Sequence, residues 1–302
     1  MIPKLEVVLQ KLEERNPSHT IAIRKSINDL TPEINSKIES FLEKYIVYLG
    51  KVEKSIDYGI DCYFHMIEDM QTQQLEFIRT GKYSSSSFDE VNKRVYNNPD
   101  IMKYHMHGLV LAQFLWYDQR ERFTFFYKSL ENHASNAKKY LEIGGGHGLY
   151  LNEALKLLPH VEEFDMIDIS QSSLELAKGI ISENKIKYTL KNIFDFTNDV
   201  KFDFITVGEV IEHLEQPLAL LKKIASLLAS DGVCFITTPI NAPMIDHIYL
   251  FNNSEEIRTL FDLAGFQILE EKTAISFNKS ISYAEKFKTP VMFAAFIKRK
   301  SI

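Results

Sequence analysis

Hydrophobic residues in the first half of the chain recur every three or four positions, which is the spacing of an amphipathic helix. In the clearest example, a helix is predicted from Thr31, a cap-type residue followed by proline, to Gly50, a residue typical of helix ends. A second helical stretch follows over 52–79. Ser87 and Glu90 then stand in capping-box register, which predicts that the Ser87 side chain begins a short helix.

The region 100–130 is helical in pattern and rich in aromatic residues, and it contains the only tryptophan, Trp116. Because it is apolar on more than one side, it must be buried against a second domain, a partner subunit or a ligand. Tyr104, His105 and His107 are its candidate functional residues, but two histidines two positions apart on a helix do not share a face. Packing in a core or interface is the favoured interpretation, and a lid over a bound substrate is the alternative.

Short apolar runs of the kind found in strands replace the helical spacing after residue 137. The runs are KKYLEIG, EEFDMIDIS, IKYTLKN, KFDFITVGE and GVCFITTP, and helical patterns begin between them near Gly148, Gln171, Pro217 and Ser254. Strands that alternate with helices form βαβ units, in which a parallel sheet is covered by helices on both faces. We therefore expect an all-helical domain over 1–133 and an α/β domain over 134–302.

Composition and charge argue against several classes of function. Hydrophobic residues make up 45% of the 302 residues, which is enough for two buried cores. The net charge of −6 is not segregated and leaves no basic face, so we expect no nucleic-acid partner. Cys62 and Cys234 lie in separate apolar runs and suggest neither a disulfide nor a cysteine metal site. With no apolar leader and no run of about 18 apolar residues, the chain is predicted to be cytoplasmic and without a membrane partner.

Four glycines follow the first predicted strand, in LEIGGGHG. Ligands of parallel sheets bind beyond the carboxyl ends of the strands, so this loop stands at the ligand edge. Gly144, Gly146 and Gly148 permit a tight turn with positive φ and leave no Cβ atom between the backbone and a ligand. A dinucleotide fingerprint would require glycine at position 149, which is leucine, so a nicotinamide-dinucleotide site is an imperfect match.

Two carboxylates flank this loop. Glu142 precedes it by two residues, where it favours a cationic amino group over a pyrophosphate. Asp168 ends the next predicted strand, 20 residues after Gly148, and is placed to accept the hydroxyl groups of a ribose. Together the glycines and the two acids indicate a nucleoside ligand that carries an ammonium group.

The segment LEIGGGHG, Asp168 and the segment FDFITVGEVIEHL resemble the motifs of class I S-adenosylmethionine-dependent methyltransferases. The resemblance covers about residues 134–302. It implies a Rossmann-like α/β fold with a seven-stranded sheet. In that sheet FQILEEKT would form a strand over about 266–273, and TPVMFAAFIKRK an antiparallel strand over about 290–298 inserted beside it.

The same resemblance assigns contacts to the cofactor. The three loop glycines would pass under the methionine part of S-adenosylmethionine, Glu142 would fix its ammonium side and Asp168 would hold its ribose. Many members carry an acid that takes the adenine amino group. Here the matching residue is Asn192, whose amide oxygen can accept the same hydrogen bond, with Ile193 against the adenine face. Asp195 is the alternative.

Glu209, Glu212 and His213 form an E-x-x-E-H segment after the fourth predicted strand. Glu209 shares a helical face with the other two, and His247 follows the fifth strand at the same edge of the sheet. The pattern resembles the metal sites of methyltransferases that act on polyprenylated phenols or on the 3′ ends of small RNAs. That resemblance would make all four residues ligands of a divalent metal ion. In the alternative interpretation, His213 or His247 is a general base or an orienting group and Glu209 contacts the cofactor.

We therefore predict an enzyme that transfers a methyl group from S-adenosylmethionine to a small natural-product or metabolite acceptor, with O-methylation as the favoured reaction. The helical half resembles the lids of small-molecule methyltransferases and is a candidate lid or homodimer interface. The alternatives are cyclisation of S-adenosylmethionine itself, methylation of small RNA, and a cofactor-binding module without catalysis.

Overall fold

The computed structural model of the chain describes residues 2–197 and 199–300. Its N-terminal part is helical, as the hydrophobic spacing predicts. The helices are α1 (Lys4–Arg15), α2 (Pro17–Ile27), α3 (Pro32–Lys51), α4 (Ile56–Thr80), α5 (Phe88–Val91), α6 (Pro99–Leu115) and α7 (Tyr117–Ala134). A π-helical turn, Asn92–Tyr96, continues α5.

The two predicted helix starts have different outcomes. The Thr31 side chain accepts a hydrogen bond from the Ile34 amide at 3.4 Å, which confirms it as the cap of α3. A short helix, α5, does begin directly after Ser87, but the predicted capping box is wrong, because the Ser87 side chain makes no cap hydrogen bond to it. The Phe88 amide donates instead to Glu215 Oε1 at 2.7 Å, a residue 127 positions away that local spacing could not reveal.

The aromatic region 100–130 is interrupted at Trp116, which separates α6 from α7. Trp116 has extended backbone angles of φ −91° and ψ 134°, and its indole Nε1 donates a hydrogen bond to the Tyr63 hydroxyl at 2.9 Å. A contact with α4 therefore fixes a break that the hydrophobic spacing does not show.

The second half forms one seven-stranded sheet, which confirms the predicted fold class. Its strands are β1 (Lys139–Ile143), β2 (Glu163–Asp168), β3 (Ile186–Leu190), β4 (Phe202–Gly208), β5 (Leu228–Ile240), β6 (Phe266–Ile275) and β7 (Val291–Arg299). The spatial order is β3-β2-β1-β4-β5-β7-β6, and β1 to β5 pair in parallel. The order reverses beside β1, so the loops after β1 and β4 flank the crevice where ligands of such sheets bind.

The last strand inserts between two earlier ones, as the resemblance implies. β7 pairs antiparallel with both β5 and β6. The helices of this half are α8 (Leu149–Leu157), α9 (Gln171–Ile181), α10 (Pro217–Leu227), α11 (Ser254–Leu263) and α12 (Ile281–Phe287). The short α12 lies in the connection from β6 to β7.

The helical half packs directly onto the sheet half. Its core of buried aliphatic and aromatic residues continues onto α8 and α9 through Leu149, Leu176 and Ile180. Gly179 permits this contact, since a Cβ atom there would lie 2.2 Å from a ring carbon of Tyr48. None of the helices in the described ranges combines the length and the apolar character needed to cross a membrane.

Candidate functional site

A cavity of about 1110 Å³ lies where the carboxyl ends of β1, β2 and β4 face α6 and α7. It brings together most of the residues singled out in the sequence. Those that line it are Glu142, Gly144, Gly146, Asp168, Asn192, Ile193, Glu209, His213 and His247. In the described part of the chain, Gly148 and Glu212 do not line this cavity. Gly148 precedes α8 and packs against Ile181, and Glu212 lies beside His213 and His247.

The glycine loop has the positive φ angles that its sequence predicts. Gly144, Gly146 and Gly148 have φ values of +64°, +55° and +76°, which side chains rarely tolerate. At Gly144 a Cβ atom would also lie 2.5 Å from Val210 Cγ2. Gly144, Gly145 and Gly146 line the cavity, so the loop presents backbone without side chains there.

Asp168 is fixed at the end of β2 by the loop that it faces. Its Oδ2 accepts a hydrogen bond from the Gly146 amide at 3.2 Å, and its Oδ1 accepts one from the Ser170 amide at 2.8 Å. Burial raises the pKa of Asp168 to about 6, against these hydrogen bonds, which lower it. Each carboxylate oxygen keeps a lone pair for a further donor, such as a sugar hydroxyl.

Glu142 is buried at the end of β1, where its Oε2 accepts a hydrogen bond from the Tyr140 hydroxyl at 3.0 Å. Burial raises the pKa of Glu142 to about 8, so the unliganded site holds a substantial neutral fraction at pH 7. A cation arriving beside this carboxyl would favour its charged form.

The two candidate adenine contacts are placed differently. Asn192 and Ile193 line the cavity, and Asn192 Oδ1 accepts a hydrogen bond from the Phe194 amide at 3.0 Å. Asp195 is exposed and is not a lining residue among the described residues. Of these two residues, Asn192 is therefore the one placed to contact a ligand of the cavity.

Glu209 follows β4 with a left-handed φ of +55°, an unusual conformation for a residue with a side chain. Thr237 holds it there: the Glu209 amide donates to Thr237 Oγ1 at 3.1 Å, and Thr237 Oγ1 donates to Glu209 Oε1 at 2.9 Å. Glu209 Oε1 also lies 2.7 Å from Arg122 Nη1. The Glu209 carboxylate is thus committed to an ion pair with the buried Arg122 at the cavity wall.

Arg122, which the sequence reasoning missed, comes from α7 and is 3% exposed. Its Nη2 donates to Gln113 Oε1 at 3.2 Å, whereas its Nε has no hydrogen-bond partner in the described chain. Burial lowers the pKa of Arg122, but the Glu209 carboxylate outweighs this and keeps the guanidinium charged. Little in the sequence signals Arg122, because α7 carries several charged residues and their spacing does not show which of them is buried with a partner.

Three of the four predicted metal ligands lie together, and Glu209 is not with them. One potential ligand atom from each of Glu212, His213 and His247 falls within 4.8 Å of the others. Glu212 Oε1 lies 3.6 Å from His213 Nε2 and 3.9 Å from His247 Nε2. It is buried without a hydrogen-bond partner among the described residues, while Oε2 accepts from Thr238 Oγ1 at 3.0 Å.

Backbone carbonyls fix both histidines in the same tautomer. His213 Nδ1 donates to the Asp246 carbonyl at 3.0 Å, and His247 Nδ1 donates to the Ala242 carbonyl at 2.6 Å. In its neutral form each ring turns an Nε2 lone pair towards Glu212. Burial lowers the pKa of His213, but the Asp246 and Glu212 carboxylates outweigh it and raise that pKa above its usual value. Burial lowers the pKa of His247 to about 3, so this ring is neutral at pH 7.

Asp246 connects this cluster to the helical half and was also missed. Its Oδ2 accepts a hydrogen bond from the Tyr96 hydroxyl at 3.3 Å and lies 3.8 Å from His105 Nε2 and 3.5 Å from His213 Nδ1. Burial would raise the pKa of Asp246, but His213 and His105 bring it to about 2. A charged carboxylate therefore sits between the two halves of the molecule.

The connection between α4 and α6 clamps the loop that carries His247. The Ala242 amide donates to the Tyr83 hydroxyl at 3.0 Å, and Arg94 Nη2 donates to the Ile245 carbonyl at 2.6 Å. Ser85 Oγ donates to the same carbonyl at 3.3 Å. These bonds span about 150 residues of sequence, so the helical half positions part of the cluster.

Comparison with known proteins gives a family for this geometry. A family model described as "Methyltransferase domain" matches residues 115–271. The ubiquinone biosynthesis O-methyltransferase of Coxiella burnetii is 32% identical over 126 residues, which are 41% of this chain and 52% of that protein. The mitochondrial enzyme of the same name from Candida albicans is 34% identical over 103 residues, which are 32% of this chain and 31% of that protein. The chain thus spans about half, or less, of the length of these relatives.

A solved structure shares the fold. The N-methyltransferase NodS from Bradyrhizobium japonicum, in complex with S-adenosyl-L-homocysteine, superposes with a TM-score of 0.50 at 18% sequence identity. The match covers 72% of this chain and 100% of that one. At this identity the likeness establishes the fold, while the helices before residue 115 lie outside the family model.

Proposed function

Because the chain belongs to the methyltransferase-domain family and has the fold of class I S-adenosylmethionine-dependent methyltransferases, we propose that it transfers a methyl group from S-adenosylmethionine to a hydroxyl group of a small-molecule acceptor. The observation that carries the proposal is the meeting, in one cavity, of the glycine loop with its two carboxylates and the cluster around His213 and His247. The names of the relatives support oxygen as the methylated atom.

The part of the cavity beside the glycine loop suits the cofactor. Asp168 offers its free lone pairs to the ribose hydroxyls, Asn192 faces the adenine edge and Ile193 its flat side. Glu142 pairs with the ammonium of the methionine part. In-line placement of the methyl group in a dry pocket supplies much of the rate enhancement, since the sulfonium is already activated.

Arg122 supplies the charge that the methionine carboxylate requires. It is buried, remains charged, and has an Nε without a partner in the described chain. Glu142 and Arg122 both line the cavity, so the ammonium and the carboxylate of one amino-acid group would each meet an opposite charge. This pairing would give the buried Arg122 of α7 a role in binding the cofactor.

A divalent metal ion is part of the proposal, and the residues present fit one. Glu212 contributes a buried oxygen without a partner among the described residues, and His213 and His247 contribute Nε2 atoms in rings that backbone carbonyls orient. When bound, such an ion lowers the pKa of an acceptor hydroxyl and anchors its oxygen. Glu209, paired with Arg122, is left out of the ligand set.

The helical half shapes the acceptor side. Met102, Met106 and Leu109 of α6 line the cavity, which supports a small apolar or aromatic acceptor. The same placement supports a lid role for residues 1–133. The homodimer and the cytoplasmic location stay predictions from the sequence.

Turnover of methyl-labelled S-adenosylmethionine tests the proposed function. We expect the purified protein to move label onto phenolic acceptors, or onto small molecules of a cell extract, and to release S-adenosylhomocysteine. Methylthioadenosine as the only product would indicate cyclisation, and label in RNA would indicate small-RNA methylation. Binding without any turnover would indicate a non-catalytic module, and each of these three outcomes contradicts the proposal.

Replacing Asn192 with alanine is expected to weaken S-adenosylhomocysteine binding by about tenfold, the worth of one lost hydrogen bond. Asp195→Ala is the matched control, because Asp195 lies three residues away and does not line the cavity in the described chain. Calorimetric titration of both variants measures the effect. A loss in Asp195→Ala with normal binding in Asn192→Ala would reverse the assignment.

Binding of the cofactor is expected to depend on pH through Glu142. Because burial raises the pKa of Glu142 to about 8, the carboxylate that pairs with the ammonium becomes scarcer as the pH falls below that value. As the pH falls from 8 to 6.5, the affinity for S-adenosylhomocysteine should decrease by up to about tenfold per pH unit. Below pH 8 the binding of S-adenosylhomocysteine should also release a proton from Glu142. Titrations in buffers of different ionisation enthalpy measure that proton. Glu142→Gln should abolish the pH dependence. Equal affinity of the wild-type protein at pH 8 and pH 6.5 would contradict the assignment of Glu142 to the ammonium group.

A further inference from the structure

α6 turns one side towards the cavity, and that side contains a histidine. The lining residues Met102, His105, Met106, Leu109 and Gln113 follow the three-and-four spacing of a single helix face. Met102, Met106 and Leu109 make this face largely apolar, and His105 lies between the two methionines, 3.8 Å from Asp246 Oδ2. This helix precedes the region that the family model matches, so the family does not account for the residue.

His105 has an unsatisfied ring nitrogen. The residue is 3% exposed, its Nε2 lies 3.8 Å from Asp246 Oδ2, and its Nδ1 has no hydrogen-bond partner among the described residues. His107, two positions along α6, differs because its Nδ1 forms a 2.7 Å hydrogen bond with the Tyr45 hydroxyl in the core. A buried polar atom without a partner is costly, which indicates a function for His105 that His107 does not share.

The three histidines around Asp246 divide into two kinds. His213 and His247 each donate Nδ1–H to a backbone carbonyl and turn Nε2 towards Glu212. In His105 it is Nε2 that faces a carboxylate, which favours the proton on Nε2 and leaves the lone pair on Nδ1. Two rings are thus arranged as ligands and the third as a proton acceptor.

We propose that His105, a residue of the helical half, accepts the proton of the acceptor hydroxyl during methyl transfer. The proposal rests on the proposed function above. The hydroxyl oxygen forms a bond to the methyl carbon while the bond from that carbon to sulfur breaks and its electron pair stays on sulfur. The hydroxyl proton passes to His105 Nδ1, and Asp246 stabilises the resulting imidazolium. The products are the methyl ether and S-adenosylhomocysteine, and the proton leaves to solvent afterwards.

The distance of 3.8 Å between His105 and Asp246 is longer than a hydrogen bond. Catalytic contacts commonly tighten once substrate is bound. The Tyr96 hydroxyl, 3.3 Å from the same Asp246 oxygen, holds the carboxylate in place from the helical half. His105, Tyr96 and Asp246 therefore form one unit across the junction of the two halves.

The test compares two phenolic probes, 3,4-dihydroxybenzoate, whose hydroxyls are neutral at pH 7, and 4-nitrocatechol, which ionises readily. In His105→Gln we expect kcat for dihydroxybenzoate to decrease by about 100-fold or more, the usual contribution of a general base. Because an ionised acceptor needs no base, kcat for nitrocatechol should change by less than about fivefold. S-adenosylhomocysteine affinity should stay unchanged.

His107→Gln is the matched control, with the same substitution on the same helix but facing the core. It should lower thermal stability through the lost Tyr45 bond and leave the ratio of the two kcat values as in the wild type. Equal losses on both probes in His105→Gln, or no loss on either, would overturn the inference while leaving the proposed function intact. A wild-type protein that binds S-adenosylhomocysteine but methylates neither phenol contradicts hydroxyl methylation itself, and the inference fails with it.

Discussion

Replacing Asp168 with alanine should weaken the binding of S-adenosylhomocysteine by about 100-fold or more, because two hydrogen bonds to a charged acceptor are lost. The carboxylate also accepts hydrogen bonds from the Gly146 and Ser170 amides, so its removal loosens the glycine loop under the methionine part. The rate of methyl transfer at S-adenosylmethionine concentrations well below saturation should decrease by at least the same factor. Calorimetric titration measures the affinity, and initial rates at several cofactor concentrations measure the transfer.

Asp165→Asn is the control for this substitution. Asp165 lies on the same strand and is buried to a similar extent, but it is not a lining residue of the cavity in the described chain and its closest charged partner is Lys187, at 3.7 Å. It should retain cofactor affinity. An Asp168→Ala protein that is folded by circular dichroism and binds as tightly as the wild type would remove Asp168 from the cofactor site.

A chelator is expected to abolish methyl transfer, and an added divalent ion to restore it in the wild type but not in His247→Ala. The expectation follows from Glu212 Oε1, which is buried without a partner in the described chain between two Nε2 atoms. The loss should reach about 1000-fold, since a bound ion would lower the pKa of the acceptor hydroxyl and would anchor its oxygen. The substitution alone cannot separate a metal site from a histidine base, whereas the chelator can.

His160→Ala serves as the control for the histidine substitution. His160 Nε2 donates a hydrogen bond to the Ala134 carbonyl at 3.3 Å, and His160 does not line the cavity in the described part of the chain. It should respond to chelator and metal like the wild type. S-adenosylhomocysteine affinity should be unchanged in both variants. Full activity in chelator, together with elemental analysis that finds no bound ion, would leave His213 and His247 as orienting groups.

The parts of the fold that follow from local sequence were predictable. The glycine loop lies directly after β1, and Asp168 directly ends β2, so strand patterns and turn chemistry fix both without knowledge of distant contacts. The inserted strand β7 followed from the family resemblance, since nothing in its own pattern indicates its antiparallel position between β5 and β6.

The parts of the site that could not be predicted from the sequence depend on contacts between residues far apart in the chain. Arg122 and Glu209 are paired at 2.7 Å although 87 positions separate them, and Asp246 meets His105 from a distance of 141 positions. Hydrophobic spacing marks a helix face as buried but does not say what covers it. For the same reason Glu209 was grouped with Glu212 on helical spacing, whereas its left-handed backbone turns it towards Arg122.

The central claim is that the cavity at the carboxyl edge of the sheet is a cofactor site for S-adenosylmethionine. Calorimetric titration of the purified protein with S-adenosylhomocysteine, and separately with NAD, tests it most directly. The account predicts saturable one-to-one binding of S-adenosylhomocysteine, weakened in Asp168→Ala, and no heat with NAD. Saturable binding of NAD with no response to S-adenosylhomocysteine would contradict it.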